Sequence, residues 1–159
     1  MSIEYHFDAT ADEVFELLTD ADFLVDRCLA LGELSADCTI EANDRETVIT
    51  MSREVERKLP SFLARIFDNR QNVEMVERWR SSGKTRKGSY SLTVLGQPVK
   101  VSAEITLKPD RAGGCTYTIT HTAKANLPLI AGRVESYILS QTEKGARDEL
   151  DYLAESLGS

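Results

Sequence analysis

The sequence predicts an α+β fold in which one curved antiparallel sheet has its apolar face covered by a long C-terminal helix. Three observations predict it. From residue 34 onward the hydrophobic period changes from that of a helix to two residues. About six alternating segments then follow, separated by turn signals. A stripe with helical spacing finally runs from Ile130 to Leu157, and this helix is available to cover the sheet.

The composition describes one globular domain, residues 1–159. A chain of 159 residues can bury one sizeable core and is short for two. Hydrophobic residues make up 42% and charged residues 28%, which is typical of folded rather than disordered chains. The net charge of -7 argues against a nucleic-acid partner, because phosphate binding needs a basic surface.

Cysteine usage and the N-terminus predict a cytoplasmic protein. Three widely spaced cysteines without a CxxC pair are typical of a reducing compartment. The opening MSIEYHFDAT has neither the basic start nor the apolar run of a signal peptide. No apolar stretch has the length of a membrane span, so we expect no integral membrane segment.

The first elements are a strand and two short helices. Residues 3–9 (IEYHFDA) alternate, which favours a strand. Thr10 and Glu13 have the spacing of a capping box, so a helix should begin there. A second helix follows, with Asp20 as its N-cap and Gly32 as its stop.

The strands after residue 34 each have an apolar set of alternate positions that we assign to the inner face of the sheet. Turn signals separate them at residues 43–44, 96–98 and 110–114. The inner positions are Leu34, Ala36, Cys38, Ile40 and Ala42; Thr47, Ile49, Met51, Arg53 and Val55; Val73, Met75, Glu77 and Trp79; Tyr90, Leu92 and Val94; Val99, Val101, Ala103, Ile105 and Leu107; Cys115, Tyr117, Ile119, His121 and Ala123.

The closing helix is expected to start after residues 126–128 (NLP) and to run to about Leu157. Two glycines, Gly132 and Gly145, lower its helix propensity. They indicate a close approach either of the helix backbone to the sheet or of a ligand to the helix, and the sequence leaves both interpretations open.

The opening IEYHFDATADEVFELLTD resembles the first strand and helix of the START / birch-pollen-allergen-like superfamily (SRPBCC). LPLIAGRVESYILSQTEKGARDELDYL resembles its closing helix, and the resemblance covers essentially the whole chain. Together with LPSFLARIF and QNVEMVERW, it also extends to an uncharacterised bacterial family within that superfamily. The resemblance implies a helix-grip fold, with a seven-stranded antiparallel sheet around the terminal helix and two short helices after the first strand.

The same resemblance implies a cavity between sheet and helix that holds an apolar small molecule. Members of the superfamily include lipid and sterol carriers, aromatase/cyclases of polyketide synthesis, hormone receptors and co-chaperone-type activators. The fold cannot choose among these activities. The choice has to come from the residues on the inner face.

Three ionisable residues, Arg53, Glu77 and His121, occupy inner-face positions. The resemblance implies that the strands carrying Arg53 and Glu77 are neighbours, which would bring the two side chains within a diagonal of each other. An ion pair between them is one expectation, since a lone buried carboxylate is costly. The pair would lie at a half-solvated rim or would anchor a ligand's polar group. The implied strand order separates His121 from Glu77, although one ligand could contact both.

Aromatic and sulfur side chains complete the predicted cavity wall. An apolar lining with a few polar points is how small-molecule sites are usually built. Tyrosine suits such a wall because it has an apolar body and a polar tip. The candidate ligand-binding residues are Arg53, Met75, Glu77, Trp79, Tyr90, Tyr117, His121, Tyr137 and Gln141.

Residues 59–67 (LPSFLARIF) have helical spacing between strands, with an apolar stripe. Three interpretations are open. The segment packs on its own sheet, closes the cavity mouth as a lid, or makes a transient membrane or protein contact. The stripe consists of Leu59, Phe62, Leu63, Ile66 and Phe67.

Motifs for metal, nucleotide or hydrolase chemistry are absent from the sequence, so we expect no metal and no cofactor. Three functions remain. The first is binding or transport of an apolar small molecule such as a lipid, isoprenoid or polyketide-like compound. The second is a cyclase- or aromatase-like enzyme in which Glu77, Arg53, His121 and a tyrosine move a proton. The third is an interaction module without ligand.

Overall fold

The computed structural model describes residues 2–158 and confirms the predicted fold class. The predicted order of a strand, two short helices, six further strands and a long helix is present, with one extra helical turn. The elements are β1 Ser2–Phe7, α1 Ala11–Leu18, α2 Ala21–Ala30, β2 Ser35–Ala42, β3 Thr47–Glu56, α3 Ser61–Ala64, β4 Arg70–Ser82, β5 Thr85–Val94, β6 Val99–Pro109, β7 Cys115–Ala125 and α4 Ala131–Gly158.

One antiparallel sheet has the strand order β1-β7-β6-β5-β4-β3-β2. Strands β2 to β7 follow each other as neighbours, and the first strand pairs with the last. Helices α1 and α2 therefore carry the chain from the β1 edge to the β2 edge. They lie beside α4 on the apolar side of the sheet, where α1 contacts both β6 and α4.

The predicted caps hold both short helices. The Thr10 hydroxyl accepts from the Glu13 backbone N–H, and the Glu13 carboxylate accepts from Thr10 N–H, which is the expected capping box. The Asp20 carboxylate accepts from Phe23 N–H at 3.1 Å. Gly32 ends α2 with φ +97, a backbone conformation that residues with a Cβ rarely adopt.

Alternation predicts the inner face of the sheet well. The clearest strand is β6, where all five inner residues from Val99 to Leu107 are buried. The edge strand β2 is less covered: Ala36, Cys38 and Ile40 pack on the core, whereas Leu34, just before the strand, and Ala42, at its end, are exposed. An edge strand has only one neighbour, so its ends lose cover first.

Helix α4 buries Val134, Leu150 and Leu153 against the sheet. A Cβ added at Gly132 or Gly145 would meet open space, so close packing of the helix backbone on the sheet is the wrong interpretation of these glycines. Among the described residues, no helix has both the length and the apolar composition needed to cross a membrane.

The segment 59–67 folds as the single turn α3 rather than as a longer helix. Leu63 and Phe67 are buried in a second hydrophobic cluster with Val134, and the rest of the stripe packs around them. Phe62 lies between the ring of Tyr137, 6.3 Å away, and the guanidinium of Arg133, 3.8 Å away. The segment therefore packs on its own domain. A transient membrane or protein contact through Leu59, Phe62, Leu63, Ile66 and Phe67 stays a prediction; Leu63 and Phe67 are buried and the other three are partly buried.

Candidate functional site

A cavity of about 400 Å³ lies between the inner face of the sheet and α4, flanked by α2 and the α3 segment. This volume is within the range of small-molecule sites. Every predicted ligand-binding residue except Trp79 lines it, namely Arg53, Met75, Glu77, Tyr90, Tyr117, His121, Tyr137 and Gln141. Gly145 also lines the cavity, at a point where α4 presents no side chain.

Trp79 lies outside the cavity lining and has a different role from the one predicted. Its side chain is 1% exposed and packs edge-on against Phe15, with 5.5 Å between ring centroids. Its ring also covers Gly88, where an added Cβ would lie 2.8 Å from the indole. The indole Nε1 donates to Glu77 Oε2 at 2.8 Å. Trp79 therefore positions Glu77 instead of touching the cavity space.

A row of polar residues crosses the sheet in register. Glu77 pairs with Tyr90, Tyr90 with Ala103, and Ala103 with His121. Three strand spacings separate Glu77 from His121, roughly 14 Å, so the expected separation of these two residues is confirmed. The small side chain of Ala103 lets the rings of Tyr90 and His121 approach to 5.8 Å between centroids.

Glu77 is a half-buried carboxylate that lines the cavity. Burial raises its pKa to about 6, against the opposing effects of the Trp79 hydrogen bond and the charge of Arg27. The predicted ion pair with Arg53 is wrong. Arg53 lies opposite Val73, whereas Glu77 lies opposite Ile49, so the two are four residues apart along the paired strands.

Arg53 instead joins an ion-pair network at the cavity rim. Its Nη1 lies 3.3 Å from Glu33 Oε1 and 3.7 Å from Glu149 Oε2. Arg27 Nη2 lies 3.6 Å from the same Glu149 oxygen. Burial opposes the charge of Arg53, but Glu149 and Glu33 outweigh it and raise the pKa of the guanidinium. The network ties α2, β3 and α4 together, and the Arg53 side chain within it is largely buried rather than half-solvated.

The uncharged polar groups of the wall include His121 and the tyrosines. His121 is 2% exposed; burial lowers its pKa against the charge of Glu143, so the imidazole is neutral near pH 7. Its Nδ1 has no hydrogen-bond partner within residues 2–158. Burial also raises the pKa of Tyr90 and Tyr117, which keeps both phenols protonated.

The cysteine beside the network is not an activated nucleophile. Arg53 Nη1 donates to Cys28 Sγ at 3.9 Å. Burial nevertheless raises the pKa of the Cys28 thiol to about 12, and the hydrogen bond with Glu33 adds to this. A thiol in that state is not a reactive thiolate at neutral pH.

Sequence reasoning missed the rim residues Arg27, Glu33 and Glu149. The sequence pattern could have identified two of them. Arg27 follows Leu24 by three residues, and Glu149 precedes Leu153 by four, so each interrupts the apolar stripe of its helix. Glu33 lies in the loop after α2, where the pattern holds no comparable information.

Three solved structures have the same fold over most of their length. A START superfamily protein from Mycobacterium smegmatis is 11% identical, with a TM-score of 0.59 and coverage of 99% of this chain and 97% of that one. Ara h 8.0201 is 15% identical, with a TM-score of 0.56 and coverage of 100% and 97%. Norcoclaurine synthase from Thalictrum flavum is 13% identical, with a TM-score of 0.56 and coverage of 99% and 84%.

Fold and cavity together define a protein with the helix-grip fold, as the sequence predicted, and this fold is shared with the START superfamily protein and with Ara h 8.0201. The chain belongs to DUF2505, a family of proteins of unknown function, whose family model matches residues 2–157. A search of curated protein sequences finds no match to the chain. The comparisons therefore establish the fold and the family, and the function has to be argued from the site.

Proposed function

We propose that the protein binds or carries an apolar small molecule, such as a lipid, an isoprenoid or a polyketide-like ring system, in the cavity under α4. The cavity itself carries the proposal: about 400 Å³ of space lies under α4, beside a cluster of buried apolar residues. Its wall combines apolar side chains with a few fixed polar groups, which is the usual construction of a small-molecule site.

The energetics favour an apolar occupant. Ile49, Val73, Val101 and Ile119 line the cavity and present apolar surface to it. Each Å² of apolar surface removed from water contributes about 25 cal/mol, so a ligand that covers this wall gains most of its affinity there. The polar groups then fix its orientation.

Gly145 offers a direct test, since it lines the cavity and has open space beside it. Protein freed of lipid is titrated with the uncharged dye N-phenyl-1-naphthylamine, and wild type should show saturable uptake. Gly145→Phe should weaken uptake by about tenfold or more, because the ring occupies the space of the dye. Native mass spectrometry of protein taken directly from its expression host should show a copurified small molecule.

The matched control is Gly132→Phe. Gly132 is also a glycine of α4 with open space beside it, but it does not line the cavity. This variant should bind the dye like wild type. Equal effects of the two variants, or no saturable uptake by wild type, would refute the proposal.

A cyclase- or aromatase-like enzyme is the second candidate, and the state of Glu77 favours it. A carboxyl group whose pKa is raised to about 6 inside a cavity is suited to general acid–base work near neutral pH. The test is exchange of the α-protons of 2-tetralone in D₂O, followed by NMR. Glu77→Gln should remove any exchange above the buffer rate. Glu74→Gln, which changes a carboxylate on the outer face of the same strand, should not.

The interaction module receives no support from the segment that suggested it. Phe67 and Leu63 are buried in their own domain, and Phe62 packs on Tyr137. This segment does not form the exposed apolar surface that marks a partner contact.

A further inference from the structure

The carboxylate of Glu77 is held in one place. Its Oε2 accepts from the indole N–H of Trp79, and the indole is locked by the core around it. Its Oε1 makes no hydrogen bond within the part of the chain that the structure describes. Because the residue lines the cavity, this second oxygen is the acceptor that a ligand can reach.

The cations near Glu77 are engaged elsewhere. Arg53 pairs with Glu33 and Glu149, and Arg27 pairs with Glu149. Across residues 2–158, no Lys, Arg or His forms an ion pair with Glu77. Arg57 and Lys144 also line the cavity, but neither is among the charges that act on Glu77. A carboxylate placed beside Glu77 would thus have to break the rim network to find a cation there.

The cavity lining holds no excess of positive charge. Its cationic residues are balanced by carboxylates, and the remaining polar points of the row, Tyr90 and His121, are uncharged. The charged lining residues are Arg27, Arg53, Arg57 and Lys144 on one side and Glu33, Glu56, Glu77, Asp148 and Glu149 on the other.

Two kinds of ligand head group are disfavoured by this arrangement. A carboxylate near Glu77 would be repelled, and the repulsion is stronger beside a half-buried carboxylate than in bulk water. An ammonium would have to be desolvated beside Arg27 and Arg53, whose charges already act on Glu77. A hydroxyl donating to Glu77 forms a charge-assisted hydrogen bond without a second buried charge.

We infer that the ligand is an uncharged, hydroxylated apolar molecule, an alcohol or phenol, whose hydroxyl donates to Glu77, and that the cavity discriminates against the corresponding carboxylic acid. This inference rests on the proposed binding function and names the chemical class of its ligand.

The test compares probes with the same chain and different heads. 1-Decanol, decanoate and decylamine are each used to displace N-phenyl-1-naphthylamine at about pH 8, where Glu77 and decanoate are ionised. Wild type should bind decanol about tenfold more tightly than decanoate or decylamine. In Glu77→Gln, the affinities for decanol and decanoate should lie within about threefold of each other, because the amide no longer repels the acid.

The control is Glu74→Gln, whose carboxylate lies on the outer face and accepts from Ser52; this variant should keep the wild-type preference. The wild-type ratio needs no variant to be informative. A preference for decanoate or decylamine, or equal binding of acid and alcohol, would overturn the inference while leaving the binding function intact. A preference for decanol that survives Glu77→Gln would overturn the role of Glu77. If neither the dye nor the probes bind, the proposed function itself is refuted.

Discussion

Two glycines on the inner side of this fold differ in the space beside them. At Gly88, in β5, an added Cβ would lie 2.8 Å from the Trp79 ring, so the space beside the glycine is filled. At Gly145, in α4, the same atom would meet nothing within 4 Å. Gly88 belongs to the packed end of the interior, built around Trp79, and Gly145 belongs to the hollow end, which contains the cavity.

The two ends share a sheet and differ in what covers it. At the packed end α1 brings Val14 and Phe15 onto the sheet, and α4 adds Leu153. At the hollow end α4 presents Gly145 and Gln141 to the cavity instead of large apolar side chains. Identical alternation on the strands thus produces solid core in one place and a binding space in another.

The largest expected effect comes from removing the centre of the packed end. Trp79→Ala should lower the free energy of unfolding by about 3–5 kcal/mol, the usual cost of truncating a buried aromatic residue. Urea denaturation followed by circular dichroism measures this. Truncation of the half-buried Met75 at the hollow end should cost clearly less, and an equal loss in the two variants would contradict the distinction between the ends.

The second effect tests the two glycines directly. Gly88→Ala should destabilise by about 1–3 kcal/mol, because the methyl group overlaps the indole of Trp79 and that ring has no room to move. Thermal unfolding of the purified variant checks it. A neutral result would mean that the packed end is looser than its contacts indicate.

The third effect is pH-dependent and concerns Glu77, which lines the cavity at the hollow end. Burial raises the pKa of Glu77 in the folded chain from 4.5 to about 6. The Trp79 hydrogen bond and the charges of Arg27 and Arg53 oppose this shift, and the charge of Glu149 adds to it. A raised pKa means that the folded state favours the protonated form. The corresponding stability is present below pH 4.5 and is lost as the pH rises through about 6.

Glu77→Gln should therefore match wild type near pH 4.5 and exceed it above about pH 6, by at most ~2 kcal/mol of unfolding free energy. Urea denaturation at several pH values between these limits measures the difference. Glu74→Gln should show no such trend, since its carboxylate lies on the outer face. A variant less stable than wild type at high pH would mean that the charge of Glu77 supports the fold rather than the site.

The smallest effect has the opposite sign. Gly145→Ala should raise the free energy of unfolding by about 0.8–1 kcal/mol, because alanine is the better helix former and its methyl group meets open space. Chemical denaturation measures the free energy of unfolding of Gly145→Ala and of Gly88→Ala, and the two values are compared. Destabilisation by Gly145→Ala would show that the hollow end closes around this glycine.

The correct predictions about the site concern residues whose placement follows from local pattern. Glu77, Tyr90 and His121 were assigned to the inner face by alternation, and all three line the cavity. Alternation also placed Trp79 in the cavity wall, which it does not line. The other wrong prediction concerns pairing at a distance. The predicted pair of Arg53 and Glu77 requires a diagonal contact, but the β3–β4 register places the two residues two inner positions apart. The real partners of Arg53 are Glu33 and Glu149, which come from a loop and from the far end of the chain.

The sequence by itself determined the elements, their caps and the face each strand turns inward, because these depend on residues three or four positions apart or on a period of two. The resemblance of its opening and closing segments also predicted the helix-grip fold. Only the tertiary structure decided where the inner face is filled and where it is hollow. That outcome depends on which side chains of α1 and α4 meet which strand, and on a register that sets Glu77, Tyr90 and His121 in one row. Such contacts join residues far apart in the chain, and no local pattern encodes them.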